Sequence, residues 1–82
     1  MVEFAEKHRD EKDFQKAGDI YRKIADQNAD SSRRAEWFYK GGLLIFQAGN
    51  KDQSIELLTK ASEDANNYFY ANLAKERLKQ LQ

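Results

Sequence analysis

Few side chains in this sequence are of the kind that carry covalent chemistry. There is one histidine, His8, and no cysteine. A lone imidazole without a neighbouring thiolate or second imidazole makes a poor metal site, because stable sites need several converging donors. His8 is therefore read as a structural or surface residue. No Ser-His-Asp combination and no paired-carboxylate motif stands out from the ordinary charged helix faces. Gly41-Gly42 sits inside a helical pattern and lacks the Lys-Ser or Lys-Thr that completes a phosphate-cradling loop. These residues predict a chain that is not an enzyme, with no cofactor, no metal and no small-molecule substrate. Arg33-Arg34, followed by Trp37, Phe38 and Tyr39, is a basic–aromatic combination of the kind that grips single-stranded nucleic acid. Fourteen basic and fourteen acidic side chains cancel, however, so the broad basic footprint of a nucleic-acid binder is missing. The doublet is expected to be a solvated charge pair at the entrance of a helix.

One constellation rises above that background. Glu36, Tyr39, Lys40, Leu43, Phe46 and Gln47 recur at helical spacing and form a stripe roughly opposite Phe38, Gly41, Gly42 and Ile45. Such a stripe either packs against neighbouring helices or stays open to receive something from outside, and both alternatives stand at this point.

The elements that hold these residues follow from the periodicity. Phe14, Ala17, Ile20, Tyr21, Ile24 and Ala25 lie three and four apart, with Lys16, Asp19, Arg22, Lys23 and Asp26 between them, as on an amphipathic helix. Asn28, Asp30, Ser31 and Ser32 supply breakers and N-cap candidates. The next segment, 33–48, carries Trp37, Phe38, Tyr39, Leu43, Leu44, Ile45 and Phe46 around the whole helical wheel, which predicts a central helix packed on more than one side. A buried strand at 43–46 is the alternative; it lacks β-branched neighbours and a partner strand. Gly49 then ends the helix, and Asn50 with Gln53 spells a capping box for the following one. That helix presents Ile55, Leu58, Ala61, Ser62 and Ala65 on one face, and Asn66-Asn67 breaks it. A last helix sets Phe69, Leu73, Ala74, Leu78 and Leu81 against Lys75, Glu76, Lys79 and Gln80. At the other end, Val2, Phe4, Ala5 and His8 suggest a short first helix before Arg9-Asp10-Glu11-Lys12, giving about five helices in an all-α chain.

Eighty-two residues fit one domain with a thin core, unsupported by disulfides. No proline interrupts the helices. The first residues lack the apolar stretch of a secretory signal, and the longest apolar run, at 43–46, is too short to span a bilayer. The polar faces mix acid with base, so membrane contact is not expected. Met1 is either a natural start or the head of a domain cut from a longer protein. The compartment is not written in these residues; the cytoplasm is favoured, with the bacterial periplasm the alternative for an excised domain.

Internal repetition appears on shifting the chain by 37 residues: Ala5 meets Gly42, Ala17 meets Ser54, Tyr21 meets Leu58 and Ile24 meets Ala61, small opposite small and large opposite large, except that Ile24 meets an alanine. The second unit resembles a tetratricopeptide repeat, a pattern of aromatic, apolar, small and bulky residues followed by Ala-x3-Phe and a proline. The matching residues are Phe38, Gly41, Gly42, Ile45, Ser54, Leu58 and Ala61, with Gly41 replacing a bulky residue and Asn66 replacing the proline. The first unit is carried by Phe4, Ala5, His8, Ala17, Tyr21 and Ile24, and extra residues within 31–34 stretch the period.

The resemblance implies a single domain of antiparallel helix–turn–helix repeats stacked as a short right-handed superhelix, with repeat 1 at 1–31, repeat 2 at 35–67 and a capping helix at 68–82. It also implies a non-catalytic protein–protein interaction module whose concave groove takes a peptide or a partner helix. Carried over residue by residue, that groove is Glu36, Tyr39, Lys40, Leu43 and Phe46, with Glu6 and Arg9 on one side and Tyr70, Leu73 and Arg77 on the other. The family's lysine/asparagine grip on a C-terminal carboxylate has no counterpart, since the corresponding positions read Val2, Glu6, Lys40, Leu43, Tyr70 and Ala74. An apolar or mixed groove is expected instead. The alternative is a structural piece of a longer array, or a scaffold that associates with itself. The stretched loop before Ala35 and the ending Ala71-x2-Ala74-Lys75-x-Arg77-Leu78 resemble repeats of Tol–Pal-associated and outer-membrane-assembly proteins, which would place such a piece in a bacterial envelope.

Overall fold

Helix-favouring residues without proline produce helices and little else. A computed structural model describes the backbone of residues 2–64 and 67–81, and the side chains of residues 12–64 and 67–81. Four helices follow one another: α1 (Val2–Gln27), α2 (Arg34–Gln47), α3 (Lys51–Ser62) and α4 (Tyr68–Leu81). No strand occurs among the described residues, and 43–46 is helical. Successive helices pack on one another, and α2 also touches α4. With α1, α3 and α4 all against it, α2 has no side on which a continuous polar face would serve.

Among the described residues there are four helices, not about five, which corrects the expectation of a separate first helix. Residues 2–27 run as one helix because nothing between His8 and Phe14 stops it. Arg, Glu and Lys at positions 9, 11 and 12 are good helix formers, and charge alone does not end a helix. Among the described residues, 2–31 hold this one helix.

The crossings are made by glycine. A Cβ on Gly42 would sit 2.9 Å from Leu58 Cγ and 3.4 Å from the Ser54 carbonyl oxygen, so α2 and α3 meet nearly backbone to backbone. The buried Ser54 hydroxyl donates to the Gly42 carbonyl at 2.7 Å, adding a second bond to an oxygen that the helix already uses. One residue earlier, Gly41 faces the other neighbour. Its Cβ would lie 3.1 Å from the Gly18 carbonyl oxygen and 3.1 Å from Tyr21 Cβ, while a Cβ on Gly18 would collide with Ile45. Two adjacent glycines thus let α1 and α3 close on α2 from different sides. Gly18 shifts the packed face of α1: Gly18 and Ala25 are buried, whereas Ile20, expected inward, is 57% exposed.

Around these crossings Ala25, Phe38, Ile45, Leu57, Leu58, Ala61 and Ala74 form the core, with Trp37, Tyr39, Leu78 and Leu81 packed against it. On α3 the buried line is Ser54, Leu57, Leu58 and Ala61, so Leu57 joins the expected face and Ile55 moves to its edge. On α4 the buried residues are Ala71 and Ala74, and Phe69, expected inward, is exposed.

The turns follow local rules. After α2, Gly49 at φ +90° lets its own N–H reach the Phe46 carbonyl at 3.0 Å, and the Asn50 N–H reaches that of Ile45 at 3.1 Å. Asn50 then caps α3 by accepting from the Gln53 N–H at 3.3 Å. Gln53 does not return to the Asn50 backbone as a full capping box would; its carbonyl oxygen accepts from the Asn50 side chain at 2.8 Å and from Gln15 of α1 at 3.0 Å. Gln53 also donates to Asp19 at 3.2 Å, so the start of α3 is braced to α1. At the opposite end, the Asn67 side chain accepts from the Tyr70 N–H at 3.4 Å and donates to the Ser32 carbonyl at 3.1 Å, tying the loop before α4 to the loop before α2.

Candidate functional site

The stripe expected on the central helix meets α4 at its start, through Glu36 and Tyr39. Glu36 sits in the first turn of α2, where a carboxylate is favoured by the unpaired N–H groups of the helix start. Three donors converge on it: Arg33 Nε at 2.9 Å, Lys40 Nζ at 3.1 Å and the Tyr70 hydroxyl of α4 at 3.2 Å. Hydrogen bonds from Arg33 and then Lys40 hold its carboxyl below the ordinary carboxylate range, against a smaller opposing effect of burial. The same pairing with Glu36 raises the Lys40 ammonium above its ordinary value. Glu36 is largely covered, at 15% exposure, and fastens α2 to α4.

Aromatic contact lies beside that polar knot. The Tyr39 and Tyr70 rings meet across the two helices at 5.8 Å between centroids, tilted by 49°, and Phe69 meets Tyr70 edge-on at 5.1 Å. Of the groove residues read from the sequence, Glu36, Tyr39, Lys40 and Tyr70 are thus brought together. Leu43, half-buried, and Phe46, 44% exposed, continue the stripe toward the end of α2. Leu73, half-buried, and Arg77, exposed, continue it along α4, with Arg77 bonded within its own helix to Gln80 at 3.3 Å. The side chains of Glu6 and Arg9 lie outside those described.

Three participants were not anticipated from the sequence. Arg33 anchors Glu36, a pairing its spacing of three already permitted. Tyr21, half-buried on α1, is close enough to Lys40 to contribute to its shift. Phe69 extends the aromatic contact at the start of α4, where its helical position alone suggested the core.

In the Arg33-Arg34 doublet Arg33 is exposed, as expected of a solvated pair, and Arg34 is not. Arg33 lies over the Trp37 ring at 5.5 Å and Arg34 over the Phe38 ring at 4.8 Å, each four residues on. Arg34 is half-buried with Nε covered, because its stem lies along the aromatic that α2 sends into the core. The two cations are therefore used separately, which does not make a joint phosphate-binding surface.

Among the described residues, no group of three or more His, Cys, Asp or Glu side chains is placed to hold a metal ion. No helix of the described residues is long and apolar enough to cross a membrane. Compared with protein-family models, curated proteins and solved structures, the chain matches none.

Proposed function

We propose that this chain is a tetratricopeptide-like, non-catalytic interaction module that receives a peptide or partner helix in the groove between α2 and α4. The observation that carries it is the half-open face where Tyr39 and Tyr70 meet above the covered Glu36 carboxylate. Such a face combines rigid aromatic area with polar groups whose geometry is already fixed, and rigid aromatics bind with little loss of conformational freedom. Repeat character is supported by the approach of α2 and α3 at Gly42, Ser54 and Leu58, the positions that the family fills with small and bulky residues. The continuous α1 limits the repeat count: one helix pair is complete, α4 stands as the next or capping helix, and α1 pairs with α2 as a second helix of a preceding unit would. So small a groove buries at most about 1,200 Å² in a complex, which belongs to weak or transient binding.

The test is a chemical-shift map of isotope-labelled protein against a peptide library. Shifts concentrated on Tyr39, Leu43, Phe46, Tyr70 and Leu73 are expected. Shifts confined to the outer faces, around Lys23, Lys60 or Lys79, would remove the groove from consideration.

A second reading has its own observation. Ile20, at 57% exposed, leaves an apolar spot on α1 that a further repeat or another copy would cover, as in a longer array or a self-associating scaffold. Sedimentation across a range of concentrations separates the two, since a concentration-independent monomer excludes self-association under those conditions.

A further inference from the structure

We infer that the occupant of the α2–α4 groove is an acidic segment, with apolar or aromatic anchors flanked by carboxylates; this rests on the groove proposed above and specifies its partner. The inference comes from the balance of charge on the described face. Arg33, Lys40 and Arg77 are cationic, and Glu36 is the one carboxylate among the groove residues described. Glu36 is also the most covered of the charged members, at 15% exposure, with both Arg33 and Lys40 bonded to it. One covered carboxylate shared by two cations leaves an excess of positive charge, and the exposed parts of Arg33 and Lys40, at 66% and 44%, carry that excess outward.

Arg77 adds to it without cancelling. Its hydrogen bond goes to a neutral partner, Gln80, and among the described residues no carboxylate pairs with it. The cations stand on both walls, Arg33 and Lys40 on α2 and Arg77 on α4, beside the aromatic and aliphatic residues: Tyr39, Leu43 and Phe46 run along α2, and Tyr70 and Leu73 along α4. A basic segment would meet like charge at both rims. A neutral apolar one would gain the strip alone. An acidic segment satisfies the rims and fills the centre, and complementary rim charge raises the rate of encounter as well as selecting the partner.

Three synthetic peptides test this: one alternating Leu and Phe anchors with Glu, and two matched peptides with every Glu replaced by Gln or by Lys. Binding is read by fluorescence anisotropy at low and high salt, together with the shift map. The Glu peptide is expected to bind about five-fold or more tighter than the Gln peptide, the Lys peptide more weakly still, and the advantage to shrink in high salt. Arg77→Glu should weaken the Glu peptide by a similar factor, and Lys79→Glu, on an exposed pair with Glu76 away from the groove, should not. Circular dichroism of both variants checks that the helices are intact. Equal binding of all three peptides with shifts on Tyr39 and Tyr70 would overturn the acidic partner and leave the groove. Binding of none, or shifts elsewhere, would overturn both.

Discussion

Replacing a hydrogen of Gly42 by a side chain would press on Leu58 at its branch point, a fully buried atom with little freedom to swing aside. A glycine inside a helix is about 1 kcal/mol less favourable than alanine, so two in succession on α2 have to be offset by contact that larger residues forbid. Gly41 and Gly42 gain that contact with different partners, the Gly18 backbone and the Leu58 side chain respectively. Gly42→Leu should therefore lower stability by roughly 1–3 kcal/mol through overpacking, measured by urea unfolding with circular dichroism. An unchanged midpoint would mean that α2 and α3 do not meet at this residue. The role of Gly42 was legible in the sequence, because a mid-helix glycine between apolar residues asks for close contact. The partnership of Gly41 with Gly18 was not: on a wheel where every side is apolar, nothing distinguishes the face that meets α1 from the face that meets α3.

Elements were read best where their ends are spelled out. Gly49-Asn50 placed the α2–α3 turn because a positive φ and an N-cap each demand a particular residue type. The start of α1 carries no such spelling, and a pattern of Val2, Phe4, Ala5 and His8 cannot by itself locate a break where no breaker stands. The link between α2 and α4 was half legible: Glu36, Tyr39, Lys40 and Tyr70 were grouped, but their union through Glu36 depends on tertiary approach. That union has a pH signature. Because the Glu36 carboxyl is held low in the folded chain, its contribution is present above the unfolded carboxylate value of about 4.3 and is lost as pH falls through the lower folded value. Lys40, raised by the same pair, contributes below about 10.4 and ceases as pH rises through its folded value. Glu36→Gln should thus depress the melting temperature more at about pH 7 than in acid below the folded Glu36 value, where the wild-type carboxyl is neutral too. A difference between the two proteins that stays constant across that interval would show that the bonds from Arg33, Lys40 and Tyr70 do not hold α4 through charge.

At the scale of the whole molecule, helices in sequence contact mainly their neighbours, which gives an extended body of 46 × 27 × 17 Å and not a single round core. Stability in such an arrangement is distributed by the number and size of the faces each helix buries. α2 is enclosed by three helices and contributes Phe38 and Ile45, both fully buried, at the centre. α3 contributes Leu57 and Leu58 and is held at two crossings. α4 buries only Ala71 and Ala74 fully, is completed by the partly covered Leu78 and Leu81, and is pinned at its start by Asn67 and Tyr70. Small buried side chains release little apolar area on opening, at about 25 cal/mol for each Å², so α4 should open without the rest. Native-state hydrogen exchange should accordingly rank the helices: amides between Phe38 and Ile45 exchange only with global unfolding, those of α3 close behind, and those between Ala71 and Leu78 through a smaller opening. The ranking bears directly on the groove, because one of its walls is the helix that opens first, and a ligand seated against Tyr70 and Leu73 would slow α4 exchange selectively. If α4 amides were as slow as those of α2 in the free protein, the cooperative unit would be the whole chain and the groove would be a rigid cleft.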